Sequence, residues 1–165
     1  MAVKVVKLSS LTFQKLEELL EQEIAITRSL DHPNTIRCHE VLKSVNHCYF
    51  ITELCHDGTL EKLLKKRGPM PEEEAWPFIR DVYQGLKYLA SRNIVHRDVK
   101  LANIFLNKGT AKLADFGFAV YTKYPYYNPG KTSKISTSAL LSTWPPKDTS
   151  ITSMALRPTS GHSDW

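Results

Sequence analysis

The sequence predicts an α+β fold. Short runs rich in β-branched and aromatic residues sit between turn residues through the first 120 positions. Between these runs lie longer stretches whose apolar residues recur every three or four positions, the period of a helix with one buried face. Residues 121–165 keep neither period, which bounds the folded part at about residue 120.

The elements follow in order. Ala2 to Val6 reads as a strand. Ser9 to Leu30 reads as a helix with an apolar stripe at Leu16, Leu19, Leu20, Ile24 and Ile26, opened by Ser/Thr residues able to cap it. Asp31-His32-Pro33-Asn34 breaks that helix, with His32 as a structural turn residue. Ile36–Lys43 and His47–Leu54 are the next two strands, ended by Gly58. A short helix spans Leu60 to Lys66 and stops at Gly68-Pro69. Pro71 then opens a long helix to about Leu89. Glu72, Glu73 and Glu74 lie in its first turn, where the helix dipole favours acids. Its predicted apolar face is Trp76, Ile79, Val82, Leu86 and Leu89. Beyond it, short apolar pieces alternate with polar turns up to Asp115-Phe116-Gly117.

Composition excludes several classes. With 165 residues, 42% apolar and 24% charged, the chain can bury a core without staples. No apolar run approaches a membrane span, and Met1–Ser10 is not a signal peptide. Cys38, Cys48 and Cys55 form no CxxC pair and no even set, which suits a reducing, cytoplasmic (intracellular) setting. Cys38 and Cys48 read as small packing hydrophobes. Of the net charge of +5, +3 falls in residues 121–165, with no Lys/Arg cluster of nucleic-acid type, so no nucleic-acid partner and no membrane partner is expected. Those 45 residues hold 15 Ser/Thr and five of the nine prolines and predict an irregular or disordered tail.

The chemistry is concentrated in two motifs. His96-Arg97-Asp98-Val99-Lys100-Leu101-Ala102-Asn103 is followed, seventeen residues after Asp98, by Asp115-Phe116-Gly117. The pair resembles the catalytic loop and metal-binding motif of eukaryotic protein kinases. Upstream pieces agree in order. Ala2-Val3-Lys4 resembles the family's lysine-bearing strand. Glu23-Ile24-x-Ile26 followed by SLDHPN resembles its regulatory helix and the turn after it, and Tyr49–Cys55 its hinge. The resemblance covers residues 1 to about 120. It implies a two-lobe protein-kinase-like fold, incomplete here, with a partial small-lobe sheet and helix and a partial helical large lobe.

The resemblance also implies an activity: ATP and Mg²⁺ bound in a cleft, and the γ-phosphate passed to a protein Ser/Thr hydroxyl. Phosphoryl transfer is mostly positioning and charge neutralisation. Lys4 would meet the α/β-phosphates and Glu23 would hold Lys4. Asp115 and Asn103 would hold Mg²⁺ through hard oxygen donors. Asp98 would accept the hydroxyl proton, and Lys100 would stand near the γ-phosphate as in Ser/Thr kinases. Ala2 and Phe105 would sandwich adenine, and Thr52 would be the gatekeeper. Backbone groups of Glu53 and Cys55 would bond the ring edge. His96 and Phe116 would pack in the core, and Arg97 would answer a phosphorylated activation loop.

Taken singly, several of these residues read more simply. A strand lysine such as Lys4 is ordinarily a solvated edge charge. Glu23 has Glu17, Glu18 and Glu21 as neighbours on a helix whose acids could all face water; its spacing to the DHPN turn selects it. Cys55 reads as hinge packing and not as a nucleophile.

The sequence shows neither the family's glycine-rich phosphate loop before Lys4 nor its APE motif after Val120. Little phosphotransfer is therefore expected from the isolated chain, and a non-catalytic kinase-fold fragment or scaffold is the alternative. Ala139–Lys147, ALLSTWPPK, permits an overlapping codon reading of SPLYMAPE, which resembles the end of a kinase activation segment. An out-of-frame tail is the expectation drawn from it. A designed linker or a genuine Ser/Thr-rich regulatory tail is the other reading.

Overall fold

The computed structural model describes residues 1–8 and 14–122. The predicted Ser/Thr caps of the first helix and the tail from residue 123 lie outside the described residues.

Alternating β-branched residues place β1 at Ala2–Lys7, and β2 (Cys38–Lys43) and β3 (His47–Thr52) follow as a hairpin. The three form an antiparallel sheet in the order β1-β3-β2, with Lys4 opposite Phe50 and Ala2 opposite Thr52. Side chains alternate across a strand, so Ala2, Lys4 and Val6 share one face. Val6 packs there against a small core of Leu20, Ile24, Val41, Cys48 and Phe50, while Val3 and Val5 are exposed.

Helix α1 (Gln14–Ser29) lies against this sheet. Its buried positions are Leu20, Glu23, Ile24, Ile26 and Thr27, followed by Leu30 just past its end, so Glu23 sits inside the apolar stripe while Glu17, Glu18 and Glu21 are exposed. Leu19, predicted for the stripe, is partly exposed because it lies one position, about 100°, round the helix from Leu20. Ile26 and Leu30 belong to a second, larger core, so α1 serves both.

The larger core is built by α2 (Leu60–Arg67), α3 (Glu72–Ser91), the hairpin β5 (Ile104–Asn107) and β6 (Thr110–Leu113), and the two-residue strands β4 (Ile94–Val95) and β7 (Val120–Tyr121). Thr59 caps α2 by accepting from the Lys62 N–H at 3.3 Å, and Gly68 ends it at φ +83°, which only glycine adopts without strain. α3 begins after Pro71 with its three glutamates in the first turn. Its buried face is Ala75, Val82, Gly85 and Leu89, with Phe78, Ile79 and Leu86 half-buried. Trp76, predicted for that face, is 56% exposed; the stripe runs through its neighbour Ala75, again about 100° away.

Gly85 sets how closely α3 approaches the hairpin. A Cβ there would lie 2.7 Å from the Asn34 carbonyl oxygen and 2.9 Å from Leu113 Cδ1. The turn after α1 is pinned to the same place. Asn34 Nδ2 donates to Ala111 O at 3.0 Å, Leu113 N–H to Asn34 O at 2.9 Å and Ile36 N–H to Leu113 O at 2.8 Å. His32 Nδ1 accepts from Asn34 N–H and its ring stacks on Tyr88 with 4.7 Å between centroids, a structural turn residue as predicted. Cys48 is fully buried and Cys38 packs beside it.

Candidate active site

The site lies where the sheet, α1 and the β5–β6 hairpin converge. Lys4 Nζ is 2.8 Å from Glu23 Oε1 and 2.7 Å from Asp115 Oδ1. Strand alternation turns Lys4 toward α1, and the helical stripe turns Glu23 toward the sheet. The Lys4 ammonium also stands 5.7 Å from the Phe50 ring centroid. Burial alone would lower the Lys4 pKa, but the hydrogen bonds and charges of Asp115 and Glu23 outweigh it and hold it above the ordinary lysine value. Burial likewise raises Asp115, and the Lys4 bond and charge overcome that, so its carboxyl falls below the ordinary range. Asp115 has φ +63° and Arg97 φ +65°, both in the left-handed region that non-glycine residues seldom occupy. Such conformations cost about 1–3 kcal/mol each and persist where the surroundings impose them.

His96 organises the space between the two motifs. It is buried beside Phe116, 5.1 Å between ring centroids. Its Nε2–H donates to Ala114 O at 3.1 Å, and its Nδ1 accepts from Asp98 N–H at 3.3 Å. A carbonyl only accepts and an amide N–H only donates, so these partners select the neutral Nε2–H tautomer. Burial holds the His96 pKa below the ordinary histidine value.

Asp98 Oδ2 accepts from Lys100 Nζ at 2.8 Å and from Asn103 Nδ2 at 2.9 Å; the latter also donates to Asp98 O at 2.9 Å. Asn103 therefore spends its amide protons on Asp98, which leaves its oxygen as the acceptor for another partner. Ala114 N–H donates to Asn103 O at 2.9 Å and ties the loop to the residue before Asp115. Arg97 is exposed, and its Nε donates to Phe118 O at 2.6 Å.

The hinge joins the two cores. It leaves the sheet at Thr52, opposite Ala2, and returns at Thr59, which bridges Phe105 on β5. Cys55 packs against the larger core, and burial pushes its thiol pKa up, which suits packing and not nucleophilic attack. Glu53 is the surprise. Its N–H donates to Arg37 O at 2.9 Å, and its Oε1 accepts from Arg37 N–H at 2.7 Å and from Lys112 Nζ at 2.9 Å. Sequence reasoning missed Lys112 and Arg37. A lone lysine between Ala111 and Leu113 reads as the solvent position of an alternating strand, and only the folded hairpin brings it to the hinge.

The structure brings Lys4, Glu23 and Asp115 together, and Asp98, Lys100 and Asn103 together, while Thr52, Glu53 and Cys55 follow one another along the hinge. Ala2 and Phe105 mark the two ends of the hinge, opposite Thr52 and Thr59. Thr52 is the last residue of β3, beside Glu53.

The description "protein kinase domain" matches residues 1–141. The chain belongs to the protein kinase family. Among relatives, it is 40% identical over 124 residues to a "Probable cell cycle serine/threonine-protein kinase CDC5 homolog" of Encephalitozoon cuniculi, covering 74% of this chain and 26% of that protein. It is 37% identical over 124 residues to the serine/threonine-protein kinase polo of Drosophila melanogaster, covering 74% of this chain and 22% of that one. With the serine/threonine-protein kinase GIN4 of Saccharomyces cerevisiae it shares 42% identity over 101 residues, 61% of this chain and 9% of that protein. The chain thus spans about a quarter or less of the length of these curated relatives. The α+β architecture expected from the sequence is the one observed. No helix among the described residues is long and apolar enough to cross a membrane.

Proposed function

We propose that this chain binds ATP with Mg²⁺ in the cleft and is part of a Ser/Thr protein kinase that transfers the γ-phosphate to a protein hydroxyl. The single observation that carries the reading is Lys4 bridging Glu23 and Asp115, residues 19 and 111 positions away. A cation held between two carboxylates at a cleft is placed to exchange one of them for phosphate.

Lys4 orients the α/β-phosphates and Glu23 keeps it extended. Asp98 accepts the hydroxyl proton, with Lys100 and Asn103 fixing its carboxylate, and Lys100 faces the γ-phosphate. Arg97 couples the loop to the segment at Phe118. Ala2 and Phe105 enclose adenine, Thr52 stands at the back of its pocket, and the Glu53 carbonyl and Cys55 N–H meet its edge. The donors fit Mg²⁺: Asp115 offers carboxylate oxygen and Asn103 its free amide oxygen. Mg²⁺ is ordinarily held by one or two such oxygens together with substrate phosphates. Bound there, Mg²⁺ would neutralise phosphate charge.

Residues 1–120 form the kinase unit in this reading. Residues 121–165 are read as an out-of-frame tail on their composition and on the overlapping SPLYMAPE reading, with Tyr121 still paired to Ile94 in β7; sequencing the transcript across them tests this. The motif Lys100 favours Ser/Thr over tyrosine as acceptor.

The test is a thermal melt of the full chain with and without ATP·Mg²⁺. A ligand at about 100 times its Kd adds about 2.7 kcal/mol, a shift of several degrees. Asp115→Asn is expected to abolish the shift. An unchanged melt for the unmodified chain would refute the reading.

A further inference from the structure

We infer that Lys112 is a positioning residue that gives the cleft its preference for adenine, acting through Glu53. The inference rests on the reading that the Glu53 carbonyl accepts from the 6-amino group of adenine.

Glu53 makes a closed set of bonds. Its N–H and its carboxylate both grip the backbone of Arg37, at 2.9 Å and 2.7 Å, and Lys112 Nζ holds the same Oε1 at 2.9 Å. Both ends of the ion pair are largely buried, with side-chain exposures of 13% for Lys112 and 19% for Glu53. Lys112 is the cation that pairs with this carboxylate, and it holds the same Oε1 that accepts from the Arg37 N–H. That grip anchors Glu53 by the peptide before it and by its side chain, and so holds the Cα from which its own carbonyl projects.

Lys112 is placed to link this direction to the rest of the cleft. It pairs across the hairpin with Phe105, the residue assigned to the adenine face, and it lies three positions before Asp115. Its charge also reaches His32 in the turn between α1 and β2, whose pKa it helps to lower after burial. A bare strand does not need this cation: Thr110–Leu113 already pairs with β5 along its length. With Lys112 removed, the Glu53 carboxylate would rotate toward water and release the peptide.

The consequence is selective. A misdirected carbonyl loses the 6-amino contact and leaves intact the phosphate contact of Lys4 and the Mg²⁺ that Asp115 would hold. The test is calorimetric titration of the full chain with Mg²⁺ and either ATP or purine riboside triphosphate, which lacks the 6-amino group. The unmodified chain is expected to prefer ATP. Lys112→Met is expected to lower that preference about tenfold, the worth of one hydrogen bond, chiefly by weakening ATP. Lys112→Arg keeps the ion pair and should keep the preference within about twofold. Glu53→Leu removes the acceptor from the other side and should match Lys112→Met, and it decides the matter if Lys112→Met does not fold. Equal weakening of both nucleotides, or a preference unchanged in Lys112→Met and Glu53→Leu, overturns the inference and leaves the ATP reading standing. Failure of the unmodified chain to bind either nucleotide overturns the ATP reading and this inference with it.

Discussion

At the scale of single residues, the site depends on charges that compensate one another at short range. Lys4 is shared by two carboxylates, and Asp98 by a lysine and an amide. His96 is different, because it must stay neutral. Its folded pKa lies below the value in the unfolded chain, so the unfolded state binds more protons as the pH falls past about 6.5. Its contribution to stability is therefore complete above that range and is lost progressively below it. His32, also lowered, acts in the same direction. Melting temperatures measured from pH 8 to pH 5.5 should decline, and His96→Gln should flatten part of that decline while lowering the plateau. A melting curve that rises toward acid would contradict the assignment. The Lys4–Asp115 pair brackets the other ends. Asp115 stabilises the fold above about pH 4 and loses that contribution as its depressed folded pKa is crossed. Lys4, raised, keeps its own contribution until the solution is more alkaline than about pH 10.

At the scale of elements, placement is decided by close approach. Gly85 lets α3 lie against the turn at Asn34 and against Leu113. Gly85→Ala forces a methyl group to 2.7 Å from a backbone oxygen already bonded to Leu113 N–H. Overpacking of this kind costs about 1–3 kcal/mol, even though alanine is the better helix former by about 1 kcal/mol. The net effect in a denaturant titration should be destabilising; a gain in stability would show that α3 can move away freely. Thr59→Ala tests a smaller effect, the loss of one cap at about 1 kcal/mol on α2.

At the scale of the whole molecule, two cores share one helix. Leu20 and Ile24 of α1 pack with the sheet, whereas Ile26 and Leu30 pack with the larger core. Glu23 lies among these anchors, so the Lys4–Glu23 distance depends on both cores at once. Ile26 is fully buried, and Ile26→Ala should cost about 2–5 kcal/mol by leaving a cavity. It should also reduce the thermal shift given by ATP·Mg²⁺, although Ile26 touches no proposed ligand atom. A destabilised variant with an undiminished shift would show that the sheet alone holds Glu23.

The sequence by itself determined the elements and named most residues of the candidate site. Periodicity located the strands and helices because burial of one face leaves a repeating mark on the chain. The spacing of Asp98, Lys100, Asn103 and Asp115 was legible because those side chains converge within one loop and the hairpin after it. Three things were decided only in three dimensions. The predicted faces of α1 and α3 are the buried ones except at Leu19 and Trp76, which lie about 100° round from Leu20 and Ala75 and face outward. Glu23 was chosen among four glutamates by spacing, and its burial facing Lys4 depends on the sheet. The Lys112–Glu53 pair left no mark at all, because 59 residues separate two charges that each look solvated until the hairpin folds beneath the hinge.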